Sequence, residues 1–360
     1  MKNPFASLSK SNSYLGIDIG TASIKLIELV VAGNKMQLKN YGSLEVKGHL
    51  DRINEAIQTS SLEAIDHETA ELLSTLIDAV QPSTREVIAS LPAFSAFTSL
   101  VELPDMPDQE TSQAMEYQAQ SLVPMPIQNV HIDWIRVGRG QDAQGVKQQR
   151  VLLIAVPKTQ MSKYQNIFQQ AGLHLRALEL ETVALARALT TGDASLTLII
   201  DIGARSTTIS VAQNGFLLHS AQADFAGSSL TQAISTGLGI NVQRAEELKK
   251  QKGLLGKGGE YEVSTLMLPY LDVILNEAKR VKNSYENAHS TKLVRVIIAG
   301  GGANLLGIEK RAADALQIPV VKAEPFEGVV AYPQAFAPLM KQLGGPFAVA
   351  LGLGMKNFNK

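Results

Sequence analysis

Two stretches of this chain repeat one pattern. Leu15-Gly16-Ile17-Asp18-Ile19-Gly20 runs into Thr21-Ala22-Ser23 and out through Ile24, Leu26, Ile27 and Leu29. Leu198-Ile199-Ile200-Asp201-Ile202-Gly203 runs into Ala204-Arg205-Ser206-Thr207-Thr208 and out through Ile209 and Val211. Each reads as a strand, a small-residue turn and a second strand. Asp18 and Asp201 lie 183 positions apart, and such an internal repeat implies two related halves enclosing a cleft. The length agrees, because 360 residues exceed the roughly 100–200 of a usual single domain.

Between the repeats the texture changes. A strand at 35–44 is followed by a helix at 66–80, whose Leu72, Leu73, Leu76, Ile77 and Val80 share one face, with Asp66 expected as its cap. From Val87 to Ala171 strands and helices form what reads as an inserted subdomain. The expected division is a tail at 1–13, a first core subdomain at 14–86 and 172–196, the insert at 87–171, a second lobe at 197–343, and a connecting helix and tail at 344–360. The helix beginning at Glu181 bridges into the second half, where a buried strand, Val294 to Ala299, ends in Gly300-Gly301-Gly302.

Composition closes several routes. The chain has no cysteine, which removes disulfides, thiolate metal sites and cysteine nucleophiles. Basic residues number 33 and acidic 34, giving no global attraction to nucleic acid. The longest clean apolar run, Val151 to Val156, is far below the roughly 20 residues needed to cross a bilayer. A cytoplasmic location is expected. The histidines show no metal-site spacing, and Gly253 to Gly258 fails as a P-loop because no Ser or Thr follows Lys257.

The strand ends carry the chemistry. Glycine beside a strand end lets main-chain N–H groups approach phosphate oxygens, and consecutive amides form an anion nest. The hydroxyls of Thr21, Ser23, Thr207 and Thr208 add donors. Asp18 and Asp201 are repelled by phosphate, but each can hold Mg²⁺ through its waters and so neutralise a triphosphate.

With these motifs in this order, the sequence resembles the actin-like nucleotide-binding superfamily. Gly16 to Lys25 matches its first phosphate motif, Ile199 to Thr208 its second and Ala299 to Asn304 its adenosine motif. Glu181-Thr182-Val183-Ala184 and Gly345 to Gly354 match its two connecting helices. Within the superfamily the chain is similar to the PilM family of type IV pilus assembly proteins, relatives of FtsA. This rests on Gly16 to Leu29, Ser90-Leu91-Pro92, Leu122 to Ile127, Ala245-Glu246-Glu247-Leu248-Lys249 and Gly352-Leu353-Gly354-Met355-Lys356.

The resemblance implies an α/β, two-lobed, ribonuclease H-like duplicated fold with an FtsA/PilM-type insert. It implies ATP and Mg²⁺ as cofactors. Asp18 and Asp201 are then the metal-side carboxylates, with Gly20, Thr21, Ala22, Ser23, Lys25, Gly203, Thr207, Thr208 and Gly227 around the phosphates. Glu246 and Lys249 fall near adenine and ribose, beside Gly301 and Gly302. Glu181 takes the water-orienting position of a slow hydrolysis at most. Arg205 and the Ala226-Gly227 pair depart from the family pattern.

The implied partner is the cytoplasmic tail of a PilN-like inner-membrane protein, docked between the first core subdomain and the insert. Phe94, Phe97, Trp134 and Pro124 to Ile127 are available to line that groove. The implied station is the cytoplasmic face of the inner membrane, reached through partners, with other platform proteins and self-association also open. Two alternatives stand beside this reading: an FtsA-like division filament protein, for which the expected C-terminal amphipathic membrane helix is missing after Gly354, and a small-molecule kinase.

Overall fold

The computed structural model describes residues 13–32, 35–46, 62–141, 144–255, 261–356 and 358. Residues 1–12 of the expected tail and 256–260 of the glycine-rich loop lie outside them. Ser13 already belongs to the first strand.

The first sheet has six strands in the order β14-β3-β2-β1-β4-β8. These are β1 (Ser13–Ile19), β2 (Ser23–Ala32), β3 (Lys35–Glu45), β4 (Glu86–Leu91), β8 (His174–Leu180) and β14 (Val330–Ala331). The second sheet runs β11-β10-β9-β12-β13, from β9 (Thr197–Ile202), β10 (Thr207–Gln213), β11 (Phe216–Ala223), β12 (Arg295–Ala299) and β13 (Val320–Lys322). The duplication is visible in their pairing. β1 is antiparallel to β2 and parallel to β4, as β9 is antiparallel to β10 and parallel to β12.

A third sheet, β5-β7-β6, forms the insert from β5 (Phe97–Pro104), β6 (Val130–Gln141) and β7 (Lys147–Pro157), with α2 (Asp108–Leu122) against it. β7 explains the unbroken run 151–156: Val151, Leu153 and Ala155 pack into the insert's own core. Leu152, Ile154 and Val156 face the main core of the molecule. A strand covered on both faces is apolar throughout.

Three expectations need correction. β4 and β8 pair in the first sheet, and α3 (Lys158–Gln170) buries Met161, Tyr164, Ile167 and Phe168 in the main core with Leu73 and Ile77 of α1 (Leu62–Val80). The separate sheet therefore occupies 97–157 rather than 87–171. The helix α1 is already under way at Leu62, so Asp66 is no cap; its carboxylate pairs with Lys163 at 3.0 Å. The second lobe also ends before 343: Phe326, Val330 and Met340 pack with Ile27 and Leu29 of β2, where apolar area is removed from water.

Helices α4 (Glu181–Thr190) and α9 (Ala337–Met355) join the halves. The others are α5 (Gly227–Leu238), α6 (Val242–Lys252), α7 (Tyr261–His289) and α8 (Ile308–Leu316). α9 approaches its neighbours through glycine. A Cβ on Gly352 would lie 1.9 Å from the Ala184 carbonyl oxygen of α4, and one on Gly16 of β1 would lie 2.1 Å from that of Ala350. Beside the crossing, Arg187 donates to Glu179 at 2.6 and 2.8 Å and to the Gly352 carbonyl at 2.8 Å. Lys356 donates to Glu179 at 2.7 Å. The two cations hold the buried Glu179 carboxyl down at about 2 against the pull of burial. No helix among the described residues is long and apolar enough to cross a membrane.

Candidate functional site

The two repeated turns close identically. The Gly20 amide donates to the Ser23 carbonyl at 3.1 Å and the Gly203 amide to the Ser206 carbonyl at 3.1 Å. Both turns enter one cleft of about 1050 Å³, which Thr21, Ala22, Ser23, Ala204 and Arg205 also line. The strands before the turns deliver Asp18 and Asp201, and α4 begins at the cleft wall with Glu181.

Asp18 is fixed on both sides. Its Oδ1 accepts from the Ser90 hydroxyl at 2.9 Å, and its Oδ2 lies 3.3 Å from Lys25 Nζ. The strand register explains the second contact, since Asp18 stands opposite Lys25 on β2. Ser90 on β4 also accepts the Ile19 N–H at 3.2 Å. Ser90-Leu91-Pro92 carried the family resemblance, but Ser90's part in holding Asp18 was not read from it, the signal being a hydroxyl in the otherwise apolar strand end Val87-Ile88-Ala89-Ser90-Leu91.

Glu181 reaches both halves. Its Oε1 accepts the Ala93 N–H at 3.0 Å and faces the Thr208 hydroxyl at 3.4 Å. Burial, then Asp201, then Asp18 push the Glu181 carboxyl up to about 8, the N–H of Ala93 opposing them. Burial and Asp18 push Asp201 up to about 7, against Lys25. Buried carboxyls raised by neighbouring carboxylates in a cleft mark a place short of positive charge.

The glycine turn after β12 forms another wall. A Cβ on Gly302 would strike Ile202 at 2.4 Å, whereas Gly301 has nothing within 4 Å and opens to the cleft. Opposite, Lys249 Nζ lies 2.6 Å from Glu246 and donates to the Thr231 hydroxyl at 2.7 Å and the Gly227 carbonyl at 2.9 Å. The ion pair pulls the Glu246 carboxyl below its usual range although burial opposes it.

The cleft thus gathers Asp18, Gly20, Thr21, Ala22, Ser23, Lys25, Glu181, Asp201, Gly203, Thr208, Gly227, Glu246, Lys249, Gly301 and Gly302. Thr207 is outside. Side chains alternate along β10, so Thr208 faces the cleft while Thr207 is buried behind it, its hydroxyl donating to the Phe225 carbonyl at 2.8 Å. Gly227 lines the wall with its main chain engaged, its N–H donating to the Gly203 carbonyl at 3.0 Å. Arg205 lines the cleft, exposed, without a carboxylate partner among the described residues. Of the residues proposed for a partner groove, Phe97, Ile127 and Trp134 pack against the insert's own core, and Trp134 donates to Ser112 at 3.1 Å. Phe94 alone of the aromatics is well exposed, at 70%.

The donor set fits a magnesium–nucleotide group. No cluster of three or more His, Cys, Asp or Glu among the described residues is arranged to hold a metal by itself. Mg²⁺ seldom asks for such a cage; it keeps several waters and uses one or two carboxylates with phosphate oxygens. Asp18 and Asp201, beside two amide-rich turns, supply that arrangement.

A model of the type IV pilus assembly protein PilM family matches residues 16–358. The chain belongs to this family. Among solved structures, a PilM–PilN type IV pilus biogenesis complex is similar with a TM-score of 0.80 and 23% identity, covering 98% of this chain and 100% of that one. MreB 5 of Spiroplasma citri bound to AMPPNP is similar at a TM-score of 0.53 and 13% identity, over 98% and 97% of the two chains. Cell division protein FtsA of Enterococcus faecalis is 23% identical over 87% of this chain and 79% of its own. FtsA of Bacillus subtilis is 25% identical over 68% of this chain, which spans 59% of that relative's length. The family expected from the motifs and the actin-like, two-lobed α/β fold are thereby borne out.

Proposed function

We propose that this PilM-family chain is a nucleotide-responsive scaffold of the type IV pilus assembly platform, binding ATP with Mg²⁺ and docking the cytoplasmic tail of a PilN-type inner-membrane protein. It is then held at the inner face of that membrane through its partner. The observation that carries the nucleotide half is the pairing of the two hydrogen-bonded turns around Asp18, Asp201 and Glu181, within a family whose similar solved structure includes PilN.

Bound Mg²⁺ would offset the phosphate charge and polarise the terminal phosphorus. The chain's own groups have separate tasks. Main-chain amides at 21–23 and 204–206, in turns closed by the Gly20 and Gly203 N–H groups, would meet phosphate oxygens, and Lys25 and Thr208 would add side-chain donors. Asp18 and Asp201 would hold the metal through its waters. Gly301 leaves room for the nucleoside, opposite Glu246 and Lys249. Glu181, raised to about 8, can hold a proton near neutral pH and orient a water, a task consistent with slow turnover.

Calorimetric titration with Mg-AMPPNP, followed by a peptide copying the PilN-type tail, tests both halves. Binding of each is expected, and Asp201→Ala is expected to weaken nucleotide affinity at least tenfold. No peptide binding with or without nucleotide refutes the scaffold reading, and unchanged nucleotide affinity in Asp201→Ala refutes the metal-side assignment.

A further inference from the structure

The connection from β4 to β5 carries the chain out of the first sheet into the insert, and it passes along the rim of the cleft. Pro92 and Phe94 line the cleft, and residues 93–95 form one tight helical turn closed by the Ser95 N–H on the Pro92 carbonyl at 2.9 Å. The first N–H of such a turn has no partner within it. At Ala93 that N–H goes to Glu181 Oε1 at 3.0 Å.

Sheet register makes the contact. β4 and β8 are parallel, with Leu91 opposite Leu180, so Ala93, two residues past the end of β4, and Glu181, the first past the end of β8, emerge side by side. The same Glu181 oxygen faces the Thr208 hydroxyl of β10 at 3.4 Å, and Thr208 belongs to the second sheet. One carboxylate oxygen, carried on the first residue of the connecting helix, therefore touches both the second lobe's phosphate hairpin and the entry to the insert.

We propose that Glu181 is the link through which occupancy of the cleft reaches the insert: a nucleotide that engages Thr208 or shifts the second hairpin resets the Glu181 contact, and the Ala93 N–H passes that change to the start of β5. This rests on the nucleotide reading above. It gives Glu181 a positioning task beside any part in hydrolysis, and it accounts for two features that hydrolysis leaves idle. The Oε1 atom is spent on a main-chain amide 88 positions away, and Phe94, 70% exposed, projects from a turn at the cleft edge.

The link can be cut without touching a cleft side chain. Ala93→Pro removes the N–H alone, and proline suits this place. The preceding Pro92 has φ −58° and ψ 143°, the extended conformation that a residue before proline favours, and the first position of a helical turn accepts proline's fixed φ. Ala93→Gly keeps the N–H and serves as the control.

The measurement is amide hydrogen exchange over 95–104 with and without Mg-AMPPNP, alongside calorimetric affinity for the same nucleotide. Wild type and Ala93→Gly are expected to show exchange slowed about fivefold or more on nucleotide addition. Ala93→Pro is expected to bind with affinity within about twofold of wild type and to show no slowing. Glu181→Ala, which deletes the acceptor, must also lose the slowing, so the test survives a poorly folding proline variant. Slowing in Ala93→Pro equal to wild type overturns the proposal, as does wild type that binds nucleotide without any change over 95–104. Wild type that binds no nucleotide fails in the calorimeter instead, and refutes the nucleotide reading together with this one.

Discussion

Gly352→Ala sets two physical effects against each other. In a helix interior, alanine is favoured over glycine by about 1 kcal/mol, so α9 considered alone gains stability. The crossing says the opposite. The new methyl would stand 1.9 Å from the Ala184 carbonyl oxygen, while carbon–oxygen contacts settle near 3.3 Å, so α4 and α9 must part by roughly 1.4 Å. Overpacking of this kind costs about 1–3 kcal/mol. The Arg187 bond to the Gly352 carbonyl, 2.8 Å long, spans the same crossing, and weakening a charge-assisted bond adds about 1.5–3 kcal/mol. Set against the propensity gain, the expected net loss is roughly 1.5–5 kcal/mol. Urea unfolding followed by circular dichroism reads this directly as a lower midpoint at unchanged slope. A midpoint equal to or above wild type refutes the argument that backbone proximity, rather than helix propensity, selects glycine at the crossing.

Two further outcomes follow from particular contacts. Thr207→Val loses the bond to the Phe225 carbonyl and costs about 1 kcal/mol in urea melts with nucleotide affinity unchanged, whereas Thr208→Val lowers Mg-AMPPNP affinity severalfold in calorimetry; equal effects of the two on affinity would contradict the strand alternation. Glu179, held at about 2 instead of the usual 4.5, contributes stability that is full above pH 4.5 and is lost as pH falls toward 2, roughly 3 kcal/mol in all. Lys356→Met removes one of its two cations, raises the folded-state pKa and so should shrink that contribution and end the acid loss at a higher pH, read by urea melts across the acid range followed by circular dichroism, while a pH dependence equal to wild type would show that Lys356 does not hold the carboxylate.

Much of the fold was legible because its signals are local. Apolar strands ending in Asp-Ile-Gly-small announce themselves twice, and the cleft between two such halves follows from their repetition. Thr207 was misjudged because two adjacent threonines look equivalent in sequence, while a strand sends them to opposite faces. Ser90 escaped because its partners, Asp18 and the Ile19 amide, are 72 and 71 positions away. The insert's edges were misplaced for the same reason: β4 and α3 resemble the insert's elements in texture, and only long-range pairing assigns them to the first sheet and its core.

The contact of Gly16 with Ala350 has a consequence in time. β1 is made well before the helix that lies on it, Gly16 preceding Ala350 by 334 positions. At about 5–20 residues per second, that interval is roughly 17–70 s, during which an apolar central strand waits without its cover. The first lobe cannot finish folding vectorially as it is synthesised. It is completed only once α9 has been made, and a nascent protein arrested short of α9 would present β1 and β2 to chaperones rather than a half-finished but independent domain.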